Sequence, residues 1–135
     1  MAHNRLSRSI FDFVVAAGFP EIRRPHASAM EQLTHEDGLR LSQLAVRAGM
    51  TPQSMGELVD DLEELGFVEK HADPADRRAR RIFLARKGRA AVAASAHAVA
   101  NLERRLQAQL GHADYVRLRT TLLEIIRAHS PEAKQ

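Results

Sequence analysis

The chain has 135 residues, 44% of them hydrophobic and 27% charged, enough for one domain with a real core. It contains no cysteine, which excludes disulfides, thiolate metal sites and thiol nucleophiles outright and fits a reducing compartment. The formal net charge is only +3, with an isoelectric point near 9.9.

That modest charge hides a sharp split. Residues 51–66 hold five acids (Glu57, Asp60, Asp61, Glu63, Glu64) and no Lys or Arg, whereas residues 67–89 hold eight bases against three acids. A concentrated basic patch attracts phosphate backbone even when the whole molecule is nearly neutral. No segment reaches the ~18 apolar residues of a membrane span. The N-terminus also lacks the apolar run and small-residue cleavage site of an export signal, so a cytoplasmic protein is expected, with no membrane partner.

In chain order, Leu6, Ile10, Phe13, Val14 and Ala17 recur at helical spacing, and Gly18 and Pro20 end that pattern. A second helix is predicted from about Pro25, turning Ala29, Met30 and Leu33 inward before Asp37-Gly38 turns the chain. Residues 39–41 suffice only for a short strand. Ser42 is the expected N-cap of the next helix, in which Leu44, Ala45 and Ala48 pack and which Gly49 breaks. Thr51 then caps a further helix with Pro52 at its first position. Its buried face is Met55, Leu58, Val59, Leu62 and Leu65, and Gly66 supplies the left-handed residue that ends it. Two helices of about 8 and 14 residues joined by a short Gly-containing turn are what a helix-turn-helix requires.

Residues 67–70 and 80–84 read as an antiparallel pair, with a turn-rich loop over 71–79 as the wing. Residues 87–110 predict one long alanine-rich helix, and 112–129 another that carries Tyr115, Val116, Leu118, Leu122, Leu123, Ile125 and Ile126. That apolar stripe is broader than one small core needs and points to a dimerisation layer; a monomeric core is the plainer alternative.

Candidate chemistry is sparse. The carboxylates of residues 57–64 line a helix face with no polar cluster beside them and read as a solvated face. The seven histidines include no i, i+4 pair, so no metal site is expected. No nucleotide loop or phased Ser, His and Asp set is present, so no cofactor and no enzyme activity is expected. The wing carries the strongest signal. Asp76, Arg77 and Arg78 fall at its expected tip, where an arginine can enter a narrow minor groove while Arg80 and its neighbours meet phosphate. Asp76, two positions before Arg78, is placed to hold that guanidinium in a bidentate pair.

These residues resemble the MarR family of winged-helix transcription regulators. Leu41 to Thr51 (LSQLAVRAGMT) looks like the family's first helix and turn, and residues 53–69 (QSMGELVDDLEELGFVE) are similar to a recognition-helix variant. Residues 73–84 (DPADRRARRIFL), followed by Lys87-Gly88, match its wing signature, with weaker similarity from Pro25 to about Leu123. The resemblance implies a mainly α fold: a winged helix-turn-helix over residues 25–88 with a small antiparallel β wing, and a helical dimerisation region from residues 1–24 and 89–135, all in one domain. It also implies a homodimeric regulator of the repressor class that binds a pseudo-palindromic operator in double-stranded DNA and answers to a small-molecule effector. Carried over by position, Thr51, Gln53, Ser54 and Glu57 lie at the DNA-facing start of the recognition helix. Arg78 is the wing arginine, positioned by Asp76, and Ser42 sits where a helix N-terminus approaches phosphate. Two departures stand out. Glu57 and Asp61 occupy a face where many members carry bases, and Ala85 replaces a Thr that usually caps the long helix. The rival reading is a winged-helix protein that binds a ligand or partner and has lost DNA binding.

Overall fold

The computed structural model describes residues 12, 17–34 and 38–129. The helix expected over residues 6–17 lies almost wholly outside them. Among the described residues are five helices and three strands: α1 (Arg24–Gln32), β1 (Leu39–Arg40), α2 (Leu41–Ala48), α3 (Pro52–Glu64), β2 (Val68–Asp73), β3 (Asp76–Leu84), α4 (Arg86–Leu110) and α5 (His112–His129). The strands form one antiparallel sheet in the order β1-β3-β2. The expected fold, mainly helical with a winged helix-turn-helix and a small β wing, is the one observed. The chain divides into two compact units, Met1–Ala98 and Val99–Gln135.

In the first unit, α1 opens with Pro25 in its first turn and buries His26, Ala29 and Met30. Helix α2 begins one or two residues before the expected cap. Arg40 is its N-cap, and the Gln43 side chain reaches back to accept from the Arg40 N–H at 3.0 Å. Ser42 is therefore an exposed residue of the first turn and not the cap. Gly49, at φ +65°, ends α2. Helix α3 starts as its sequence demands: Thr51 Oγ1 accepts from the Ser54 N–H at 3.1 Å, and Pro52 fills the first turn. Met55, Leu58, Val59 and Leu62 are its buried face, while Leu65 is half-buried. Gly66, at φ +78°, lets the Phe67 N–H turn back onto the Leu62 carbonyl at 2.8 Å.

The core gathers around Phe67, Leu39, Leu44, Met55, Val59, Leu62 and Ile82, all at most 2% exposed. The long helix α4 meets it through small residues, burying Gly88, Ala91 and Ala98. At Gly88 this is obligatory, because a Cβ there would overlap the Phe67 carbonyl oxygen and crowd Leu84 Cδ2 at 3.1 Å. The Ala85 N–H donates to that same carbonyl at 2.9 Å, so the segment before α4 is bound into the core by backbone.

In the second unit, α5 is the expected helix, and its apolar stripe is largely exposed. Val116, Leu118, Leu122, Leu123, Ile125 and Ile126 are 40 to 60% exposed.

Gly88→Ala should destabilise the fold by about 1 to 3 kcal/mol, the usual cost of forcing an extra methyl into a packed contact. Urea unfolding measures it, and a midpoint equal to wild type would show that Phe67 and α4 separate without cost.

Candidate nucleic-acid interface

The wing is tighter than the sequence suggests. Strand β2 runs on to Asp73 and β3 begins at Asp76, so the loop expected over 71–79 contracts to Pro74-Ala75. The Ala75 N–H donates to Asp73 Oδ1 at 2.9 Å and closes the turn. Asp76, Arg77 and Arg78 are consequently strand residues beside the turn, all exposed. Asp76 also does a different job from the one expected. Its Oδ1 accepts from the Arg78 backbone N–H at 3.0 Å, fixing the main chain and leaving the guanidinium unclamped.

Asp73 holds the hairpin onto the body. Its carboxylate is fully buried, receives Arg40 Nε from β1 at 2.7 Å, and lies 3.3 Å from Arg81 Nε of β3. Arg40 and Arg81 face each other across the β1–β3 ladder, so two like charges would repel there without the anion between them. The turn N–H first and Arg40 second hold the Asp73 carboxyl down to about 2. In the sequence Asp73 stands out only as part of a wing signature, and Arg40 lies 33 residues away with no local signal linking the two.

The eight bases of residues 67–89 separate into two sets. Four are engaged: Lys70 with Asp60 and Glu63, Arg81 with Asp73, Lys87 with Glu21 and the Leu65 carbonyl, and Arg89 with the Leu84 carbonyl. The Lys87 ammonium also stands 4.3 Å over the Phe67 ring and holds the Glu21 carboxyl below its usual range. Among the described residues, Arg77, Arg78, Arg80 and Arg86 are exposed and make no ion pair. Alternation along β3 puts Arg78 and Arg80 on the face that continues into buried Ile82 and Leu84, and Arg77 on the other, so the ribbon carries cations on both faces.

The acids of α3 also differ from a freely solvated face. Asp61 pairs with Arg23 at 2.9 Å, and Asp60 and Glu63 share Lys70, whose ammonium they hold above the usual lysine range. At the start of α3, Thr51, Gln53 and Ser54 are exposed, as is Glu57 one turn on. The Thr51 hydroxyl donates to Ser54 Oγ at 2.9 Å, so the Ser54 hydroxyl keeps its own proton to donate elsewhere. This polar, uncharged helix start and the arginine ribbon form the surface suited to a polyanion.

Beside it, a groove of about 450 Å³ is lined by Leu33, Phe83, Leu84, Arg89 and Val92. Among the described residues no group of His, Asp and Glu converges as a metal site. None of the described helices is long and apolar enough to cross a membrane.

A model described as MarR family matches residues 22–79. The transcriptional regulator HosA of Escherichia coli O111:H- is 28% identical over 76 residues, which are 56% of this chain and 56% of HosA. The chain thus matches little more than half the length of that curated relative. Among solved structures, RV1404 from Mycobacterium tuberculosis superposes with a TM-score of 0.79 at 23% identity, covering 94% of this chain and 86% of that one. The transcriptional repressor CouR, bound to a 23-mer DNA duplex, superposes at 0.66 with 27% identity, covering 92% and 89%.

Two buried groups contribute to the acid response. His26, 1% exposed, is held below the ordinary histidine value of 6.5, first by burial and then by the Arg23 charge. The unfolded chain therefore binds that proton first, and stability present above pH 6.5 declines as the pH falls below it. Asp73 adds a second loss as the pH falls from 3.8 to about 2. Chemical unfolding followed by circular dichroism across pH should show both steps, with Asp73→Asn removing the lower one and lowering the melting temperature at neutral pH. A lower step that survives in Asp73→Asn would assign it to another carboxylate.

Proposed function

We propose that the chain is a winged-helix member of the MarR family and a cytoplasmic transcription regulator that binds operator DNA as a homodimer and works as a non-enzymatic repressor. The observation that carries the reading is the pairing of four uncommitted arginines on and beside a rigid ribbon with an uncharged, capped helix start. In this reading residues 25–88 are the DNA-binding lobe, and residues 1–24 and 89–135 the dimerisation region.

Gln53, Ser54 and Glu57 read base edges in the major groove, with Glu57 suited to a cytosine amino group. Thr51 and Ser42, each in the first turn of its helix or capping it, approach phosphate. Arg78 enters the minor groove, its backbone held by Asp76, and Arg77 and Arg80 meet the flanking phosphates. The exposed stripe of α5 supports the dimer, since a contiguous apolar face of that size is what a partner helix covers. A two-fold dimer in turn matches a pseudo-palindromic operator. The groove beside Arg89 supports a small apolar effector carrying an anionic group.

Arg78→Ala should weaken operator binding by on the order of 1 to 3 kcal/mol and reduce the salt dependence by about one counterion. A gel-shift titration at several salt concentrations reads both, and unchanged affinity would remove Arg78 from the interface. Gln53→Ala should alter the preferred sequence more than the affinity. If the wild-type chain shows no salt-dependent binding even to random duplex DNA, the reading without DNA stands instead.

The dimer has its own test. Leu122→Glu, in the middle of the α5 stripe, should shift the protein from dimer to monomer by light scattering, and a wild-type chain that is monomeric at micromolar concentration would overturn the assembly.

A further inference from the structure

Helix α3 is held from both flanks by ion pairs. At 3.6 residues per turn, Gln53, Glu57, Asp60 and Glu64 fall within about 60° of one another, opposite buried Met55, Leu58, Val59 and Leu62, and form the outward ridge. Asp61 and Glu63 lie on the two flanks, about 160° apart by the same spacing. Arg23, the N-cap of α1, takes Asp61 at 2.9 Å on one side, and Lys70 of β2 takes Glu63 at 2.7 Å together with Asp60 on the other.

We propose that Arg23 and Lys70 are positioning residues for sequence discrimination, fixing the roll of the recognition helix without touching DNA. The inference rests on the DNA-binding reading above and assigns to it two residues outside the contact surface.

Geometry sets the demand. With side-chain tips roughly 6 Å from the helix axis, a roll of about 20° moves Gln53 and Glu57 by ~2 Å. A hydrogen bond to a base edge tolerates only about 0.5 Å. The hydrophobic contacts of α3 set its roll coarsely, because apolar packing is not directional. Ion pairs on opposite flanks are directional, and a roll that relaxes one stretches the other.

An exposed ion pair is ordinarily weak, largely because ordering two long side chains costs entropy. Arg23 is ordered in advance. Its backbone N–H donates to Nδ1 of the buried His26 at 3.2 Å, which fixes the main chain from which the guanidinium reaches Asp61. With Nδ1 accepting, the imidazole proton is on Nε2, 3.9 Å from the Asp61 carboxylate that Arg23 holds. Lys70 is ordered by its two carboxylates and is itself only 27% exposed.

Asp61→Asn separates this inference from simple charge effects. Removing an anion near DNA strengthens binding to every sequence on electrostatic grounds alone. The brace instead requires the ratio of selected-site to random-duplex affinity to fall roughly five- to tenfold, about what one mismatched base pair costs. Selection from a random DNA pool supplies the preferred site, and titrations of that site and of random duplex give the ratio. Arg23→Met and Lys70→Gln should lower the ratio in the same way, Lys70→Arg should keep it, and the exchange Arg23→Asp with Asp61→Arg should restore it. Arg24→Met, on the same helix with no ion pair among the described residues, should leave it unchanged. Melting temperatures identify any variant that fails to fold, and the charge exchange then decides in its place. A ratio unchanged in Asp61→Asn and Lys70→Gln overturns the brace while leaving the DNA-binding reading intact. A wild-type chain that selects no sequence overturns both.

Discussion

One buried carboxylate determines what the wing can do. A two-stranded hairpin alone is marginal in water, and this one extends past the core into solvent with cations on both faces. Asp73 lets it stay rigid there by accepting from its own turn, from Arg40 on β1 and by lying against Arg81 on β3. Strand β1 immediately precedes α2, so a single anion couples the turn, the sheet and the first helix of the helix-turn-helix. Burial would normally penalise such an anion, but the Ala75 N–H, the Arg40 guanidinium and the nearby Arg81 charge reverse the balance and lower its pKa.

That anchoring explains how the charge is divided. A uniformly basic wing beside a uniformly acidic helix would suggest collapse of one onto the other. The structure instead spends half of the wing segment's bases on internal partners, and Lys70, Arg81, Lys87 and Arg89 each tie one element to another. What remains outward is Arg77, Arg78, Arg80 and Arg86 on one side and Glu57 and Glu64 on the helix ridge. Three of the five acids of α3 are paired with two cations, Arg23 and Lys70, so the field near that helix is less negative than the sequence count suggests.

What the sequence made legible follows the range of the interactions. Thr51-Pro52 at the start of α3 and Gly66 at its end are local signals, satisfied within four residues, and the structure has both. The apolar faces of α1 and α3 are likewise periodic patterns that need no partner to be read. Ser42 failed as a cap because Gln43, one residue on, could reach back to Arg40, and two adjacent polar residues compete for the same orphan N–H groups. The wing loop was drawn too long because turn residues mark where a chain reverses but not how far the strands pair beyond it. The Arg40–Asp73 and Arg23–Asp61 pairs span 33 and 38 positions, and nothing in local composition distinguishes their members from solvated charges.

Gly88 connects this lobe to the long helix. At Gly88 the helix backbone lies against the Phe67 carbonyl with no side chain between them, while Lys87 beside it holds both Glu21 and the C-cap carbonyl of α3. The first turn of α4 is thereby fixed to the end of α3 by backbone contact and by charge at adjacent residues. Phe67 stands at that junction, its ring under Lys87 and its carbonyl against Ala85 and Gly88, so a core aromatic also fastens the end of α3 to the start of α4.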